Sequence, residues 1–551
     1  MNQKKKRLIF FQIMVVAVVA LFLLTGGKSS SSESTSYVRA ATYFGNEWPI
    51  NFWNSEMDHL KEDMAQIKRD GFDSIVLVIP WREFQPELEP VRYNEEAFRR
   101  LNEVLNAADD AGLGVYTRIA YMYDYQGDDD VRLRLLSLLE KMDTRNALLS
   151  YARELHRELC IHENFRGAFV SWEDFWFIYH LIDIGGYEER IRLAEDMGYS
   201  KWIRDHYSLE DYNGRFGTNY HSFSEIPLPR REQPEVELLY PFVDYYLMTL
   251  LGELQLAFPG LSMEVRLDEE PIAGTDGSQR WYSHSDTYSC GNAEYTAAIY
   301  GIPLGFENKG ESVSVPEAIE KLGYFLGRLR SANGGKPVFV EQFLFTDNSP
   351  GLLQAAQLRE GEHGMYLEAA ADVLLHYTEG YGIWTYRDYR GNLIYNPGFA
   401  LGNRGWETLG EKVTFFKRGT SRVCRLGAGC MLKQHVPESR RDYGKDVYHV
   451  SFDVICCAPQ TSCRITFGNQ SQEISIRKPG EVVVEFPNSP TLDVAIEVLD
   501  GEMEIDNVRA YSYILEGRLY DVENRELDCI ESIRKLNKKL ASFVYTASDL
   551  Q

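Results

Sequence analysis

Basic residues are scarce: 58 Lys and Arg stand against 82 Asp and Glu in 551 residues, a formal net charge of −24. So acidic a surface repels phosphate backbones, which excludes nucleic acid as a partner. Cysteine is scarce as well, and eight in a chain of this length are too few for a disulfide-built scaffold. Cys424, Cys430, Cys456, Cys457 and Cys463 fall close together, but without the C-x-x-C or His spacing of a zinc site. One or two bridges are their expected use. Cys160 is expected to be a buried free thiol. No glycine-rich phosphate fingerprint follows the first strand, which disfavours an open dinucleotide-binding sheet.

Long apolar runs are missing, save one. Lys4, Lys5, Lys6 and Arg7 precede an uncharged stretch over 8–24, the pattern of an export signal or N-terminal anchor. At about 17 residues it reaches the lower edge of a bilayer span. The expectation is a signal-anchor over 1–28, a Ser-rich linker over 29–40 and a single-pass cell-membrane protein with its folded part outside. Cleavage of the segment would make it secreted.

What is abundant is aromatic: 34 Tyr, 28 Phe and 9 Trp, rings of the kind that stack on sugar faces. From residue 41 the chain repeats an amphipathic helical stretch, a glycine stop, a β-branched run and a polar loop. Strands are expected near 42–44, 74–79, 114–119, 167–170, 263–267, 297–300, 338–340 and 382–386. That rhythm predicts an α/β fold, a (β/α)8 TIM barrel over 41–395, whose active site would collect at the C-terminal strand ends. The residues converging there are Trp81, Arg82, Arg118, Tyr123, Glu173, Tyr300, Glu341 and Trp384. Two glutamates among arginines and aromatics fit glycosidic bond cleavage, which needs one acid for the leaving oxygen and one carboxylate to attack or activate water. Asp174 and Asp347 are fallback acids, and Trp172, Trp176 and Trp281 are sugar platforms or packing.

The segment GFDSIVLVIPWREFQPE (71–87) and the following YNEEAFRRLNEVLNAADDAGLGVYTRI, together with GAFVSWEDFW, GKPVFVEQFLF and GIWTYRDY, resemble the large clan of retaining (β/α)8 glycoside hydrolases, especially its family 5 and family 42 type members. The resemblance spans about residues 41–395. It implies Glu173 as acid/base after strand four, Glu341 as nucleophile at strand seven, Trp384 as a subsite floor and Tyr300 as the tyrosine that steadies the nucleophile. With Trp81, Arg82, Arg118, Tyr123 and Trp172 as further sugar contacts, it implies a β-linked poly- or oligosaccharide substrate and no metal or organic cofactor. Two positions depart from the clan. Trp172 stands where Asn is usual, which supports the alternative of a non-catalytic glycan-binding accessory of cell-surface or exopolysaccharide metabolism. Glu341 stands one residue nearer its Lys-Pro, and since side chains alternate along a strand, it would face away from the barrel centre unless a bulge restored it.

After residue 395 the helical rhythm gives way to short alternating strands. YNPGFALGNRGW and MEIDNVRAYSY resemble the two ends of a jelly-roll carbohydrate-binding module, giving a β-sandwich over 396–515. The remainder, 516–551, is expected to hold one amphipathic helix over 523–543, with Ile530, Ile533, Leu536 and Leu540 on its packed face.

Overall fold

Runs such as SIVLVIP, without polar–apolar alternation, are buried on both faces, as in parallel sheets covered by helices. Eight such strands close a barrel: β1 (Val38–Thr42), β2 (Ser74–Pro80), β3 (Gly114–Tyr121), β4 (Phe165–Val170), β5 (Ser262–Arg266), β6 (Thr296–Gly301), β7 (Val338–Leu344) and β8 (Gly380–Trp384). Each pairs in parallel with its chain neighbours, and β8 closes on β1. The computed structural model describes residues 36–543 apart from 56, 58, 123–130, 172–176, 268, 274–278, 284–292, 303–309, 346–355, 420, 438–445 and 517.

The return helices include α1 (Leu60–Arg69), α2 (Glu95–Asp110), α3 (Met142–Leu159), α4 (Val236–Ala257), α5 (Val315–Ala332) and α6 (His363–Tyr377). Asn94 caps α2 by accepting from the Ala97 N–H, and Ser314 with Glu317 forms a capping box on α5. Between β5 and β6 the described residues form a hairpin, Glu269–Ala273 with Gln279–Ser283, where a helix would be usual. Inside the barrel Ala40, Val76, Phe169, Ala297 and Phe339 form an apolar layer against which Tyr116 and Tyr295 pack. Small residues on β1 and β6 make room for the large ones opposite.

The chain then builds two antiparallel sheets. One runs Val413–Arg418, Ser421–Gly427, Glu502–Ile514, Val447–Cys457, Gly480–Pro487, and the other Glu407–Leu409, Met431–Gln434, Val494–Asp500, Thr461–Phe467, Gln470–Ile476. Burial alternates along Thr461–Phe467, and Leu426, Phe452, Phe467 and Ile496 share one core. The cysteines are a correction: Cys424, Cys430, Cys456, Cys457 and Cys463 are all free. Cys424 and Cys463 behave as small apolar residues, and burial pushes their thiols up to about 12. Cys160, expected inside, is exposed.

The sheets end beside where they began, because Tyr389–Asn392, directly after β8, pairs with the final strand in the register Tyr389 to Ile514. Beyond them lies α7 (Ile530–Ala541), with Ile530, Ile533, Leu536 and Leu540 buried as its pattern requires. This helix returns to the barrel. Asn537 accepts from the Tyr381 hydroxyl at 2.5 Å and donates to the Asp70 carbonyl at 2.9 Å. Arg534 meets the Asp70 carboxylate at 2.9 Å, and Lys535 and Lys539 reach Glu368 and Asp372 of α6. The two-sheet domain is thus inserted between β8 and the helix that covers it.

Gly71 sits beneath this helix at φ +88°, and a Cβ there would stand 3.0 Å from Asn537 Cβ. Gly71→Ala is expected to destabilise the chain by about 1–3 kcal/mol, read as a lower urea midpoint. At the start of α6, burial and then Arg518 hold the His363 imidazole below its ordinary value of 6.5. The unfolded chain takes up this proton first, so stability is full above pH 6.5 and falls as pH drops through and below it. His363→Phe should flatten the difference in unfolding midpoint between pH 7.5 and 5.5.

The expected membrane anchor is corrected. Among the described residues no helix is long and apolar enough to cross a membrane, and residues 1–28 lie outside them. The single-pass topology and the membrane as a partner are therefore withdrawn.

Candidate active site

The apolar layer inside the barrel gives way, two residues further along β3 and β7, to a layer of charge. Arg118 of β3 donates from Nε to Glu264 of β5 at 2.5 Å and lies 4.0 Å from a Glu341 oxygen on β7. Its second arm donates to Gln342 Oε1 at 3.3 Å. Arg118, Glu264 and Glu341 are 2%, 1% and 1% exposed. At such depth charges persist only when paired, and here one guanidinium stands between two carboxylates.

Adjacent residues of a regular strand face opposite ways, yet Glu341 and Gln342 both reach Arg118. The register explains this. On β8, Tyr381 and Ile383 face Val340 and Phe343, and on β6, Ala297 and Ile299 face Phe339 and Gln342. β7 therefore carries one extra residue against both neighbours, a bulge that turns the pair inward. Gly382 accommodates it, since a Cβ there would lie 2.6 Å from the Glu341 carbonyl oxygen.

A second irregularity ends β3. Ala120 has φ +60° and is skipped in the pairing with β2, a conformation that costs about 1–2 kcal/mol in a non-glycine residue. Its N–H is held by the Tyr151 hydroxyl at 3.2 Å. The kink brings the Tyr121 ring to 5.3 Å from the Arg118 guanidinium. Next to the charged layer, burial, then Tyr116 and Glu341, hold the Tyr295 phenol well above 10.0. It stays protonated and donates to the Ala168 carbonyl at 3.1 Å.

Trp384 closes the barrel at the end of β8. Its indole donates to Glu516 at 2.9 Å, and the Tyr389 hydroxyl reaches the same oxygen at 3.0 Å. Glu516 follows the last strand of the two-sheet domain, so that domain's exit fixes the edge of a barrel aromatic. The Phe44 ring lies 5.4 Å away.

Of the residues chosen from sequence, the structure brings together Arg118 and Glu341. Trp384 stands at the end of the strand beside them. Trp81 is packed away, its indole donating to Gln85 at 2.6 Å and its ring under Arg134. Arg82 is ion-paired with Glu83 at 2.9 Å and lies over the Tyr395 ring at 4.0 Å. Tyr300 is a correction: it packs against Phe325 of α5 and stacks on Phe343 in the helical layer, so it does not steady Glu341. Tyr123, Trp172, Glu173, Asp174 and Asp347 lie outside the described residues. Glu264 was missed. Its signal was a carboxylate between Met263 and Val265 in the middle of the short strand SMEVR, where a barrel interior tolerates charge only with a partner.

No family model matches the sequence, and no curated protein matches it. Among solved structures the chain is similar to a GH5_18 protein from Streptomyces cattleya in complex with GlcNAc, at 15% identity and TM-score 0.40 over 65% of this chain and 72% of that one. It is also similar to the exo-beta-1,4-mannosidase Op5Man5 from Opitutaceae bacterium strain TAV5, at 12% identity and TM-score 0.38 over 65% of this chain and 54% of that one. A beta-galactosidase from the psychrophilic Marinomonas ef1 is similar at 11% identity and TM-score 0.45, over 64% of this chain and 54% of that one.

Proposed function

We propose that the chain is a retaining glycoside hydrolase acting on a β-linked poly- or oligosaccharide, with Glu341 as nucleophile and Glu173 as acid/base. The observation that carries the reading is the bulge on β7, which turns Glu341 into the C-terminal half of a closed barrel against Arg118. In this reading Glu341 acts as the anion, with Arg118 beside both it and Glu264. A carboxylate there would complement an oxocarbenium-like transition state, and Glu341 would form the glycosyl-enzyme bond. Glu173, directly after β4, would protonate the leaving oxygen and then activate water. Trp384, fixed edge-on by Glu516, offers a face for the sugar ring. The two-sheet domain, read as a jelly-roll module over 396–515, would add glycan contacts.

Reducing-end release by the full chain across β-glucans, mannans, xylans and galactans tests this. Release that Glu341→Gln abolishes supports the proposal and names the substrate class. Glycan binding by both proteins without release would replace it with the accessory role that Trp172 supports.

A further inference from the structure

Outside the barrel centre a cavity of about 500 Å3 opens between the start of α2 and one end of the two-sheet domain. Lys417 and Arg422 line it, one on each of two adjacent strands, and they are directly opposite in the antiparallel register. The pairs Phe415 with Cys424 and Val413 with Leu426 share their face and belong to, or pack on, the domain's core. Lys417 and Arg422 therefore extend the core-facing rows past the end of the core.

Like charges directly opposite on paired strands repel. Among the described residues neither side chain has an ion pair or a hydrogen bond, in a chain whose net charge is −24. The lining also holds Arg99 and Arg100 and the acids Glu95, Glu96 and Asp506: Glu96 pairs with Arg99 and Arg100, Asp506 accepts from the Asn507 N–H at 2.8 Å, and Glu95 is exposed at the start of α2, so cations outnumber acids around the cleft. The arrangement is complete when an anion sits between the two cations. Tyr93 on the opposite wall offers an aromatic ring, and Ser421 and Asn507 offer polar groups for hydroxyls. The volume lies in the range of small-ligand sites.

We propose that this cleft binds an acidic saccharide, its carboxylate or sulfate held between Lys417 and Arg422 and a sugar ring against Tyr93. The site stands apart from Glu341 and does not depend on the catalytic reading.

Calorimetric titration of the full chain with an oligogalacturonate tetrasaccharide, a heparin-derived tetrasaccharide, maltotetraose and inorganic sulfate tests it. At least one acidic tetrasaccharide is expected to bind, more weakly at higher salt, and which one identifies the anionic group. Lys417→Gln and Arg422→Gln should each weaken binding at least about tenfold, in keeping with loss of one charge-assisted contact. Lys417→Glu supplies a readout of its own: it replaces the repulsion with an ion pair, so it should abolish binding while raising the thermal midpoint. Binding by neither acidic tetrasaccharide would overturn the proposal. So would equal binding of maltotetraose, binding of sulfate as tight as either saccharide, or unchanged affinity in both Gln variants.

Discussion

Glu341→Gln is expected to lower kcat about 10^4-fold with the barrel intact. The amide keeps the side chain's size, and Arg118 retains Glu264 at 2.5 Å, so the substitution does not strip the cation of its carboxylate partner. What disappears is the atom that would bond to the sugar. Glu341→Ala gives a sharper form of the test, because it leaves a cavity where the carboxylate stood and a small carboxylate can enter it. Formate should then raise the variant's turnover of an activated aryl glycoside in a saturable way, by attacking in place of the missing side chain. Turnover of either variant within tenfold of the parent would show that Glu341 is not the nucleophile.

Arg118→Met should have the largest effect on stability. It leaves Glu264 and Glu341, each about 1% exposed, as two buried carboxylates without their shared cation, at a cost of about 3–5 kcal/mol. The unfolding midpoint in urea measures the loss. Acidification should partly restore the variant: without the cation a carboxylate is raised in the folded state above its unfolded value. Folding then favours the protonated form, and stability declines as pH rises through that raised value. Adding Glu264→Gln removes one of the two charges, so the double variant should recover at least about 1 kcal/mol relative to additivity. Strict additivity would mean that Arg118 and Glu264 are not coupled as their geometry requires.

The barrel was legible because fully buried parallel strands and amphipathic helices differ in period, and all eight strands fall within a few residues of their expected positions. That same burial hid which way each side chain points. A strand covered on both faces has no alternation to read, so Tyr300 could be placed on β6 but not assigned to the helical side. Glu341 depended on one inserted residue, and a bulge is specified by neighbours on β6 and β8 far away in the chain. Trp81 and Arg82 follow β2 as expected, yet a short helix, Trp81–Phe84, folds them into the protein's packing. The expected anchor rested on composition alone, and the expected bridges on cysteine spacing. Neither is a contact, and the described residues supply neither.

Because the two-sheet domain interrupts the last strand–helix unit, the first helix of the barrel waits for its neighbour until the whole inserted domain has been made. The bond from Asn537 to the Asp70 carbonyl spans 467 positions. During synthesis at about 5–20 residues per second, the groove beside α1 and α6 stays uncovered for roughly ten to thirty seconds while the inserted sheets emerge and fold. A nascent chain of this design therefore exposes an apolar flank that a chaperone can hold, and a chain cut short before Ile530 is left with a barrel whose seam is open.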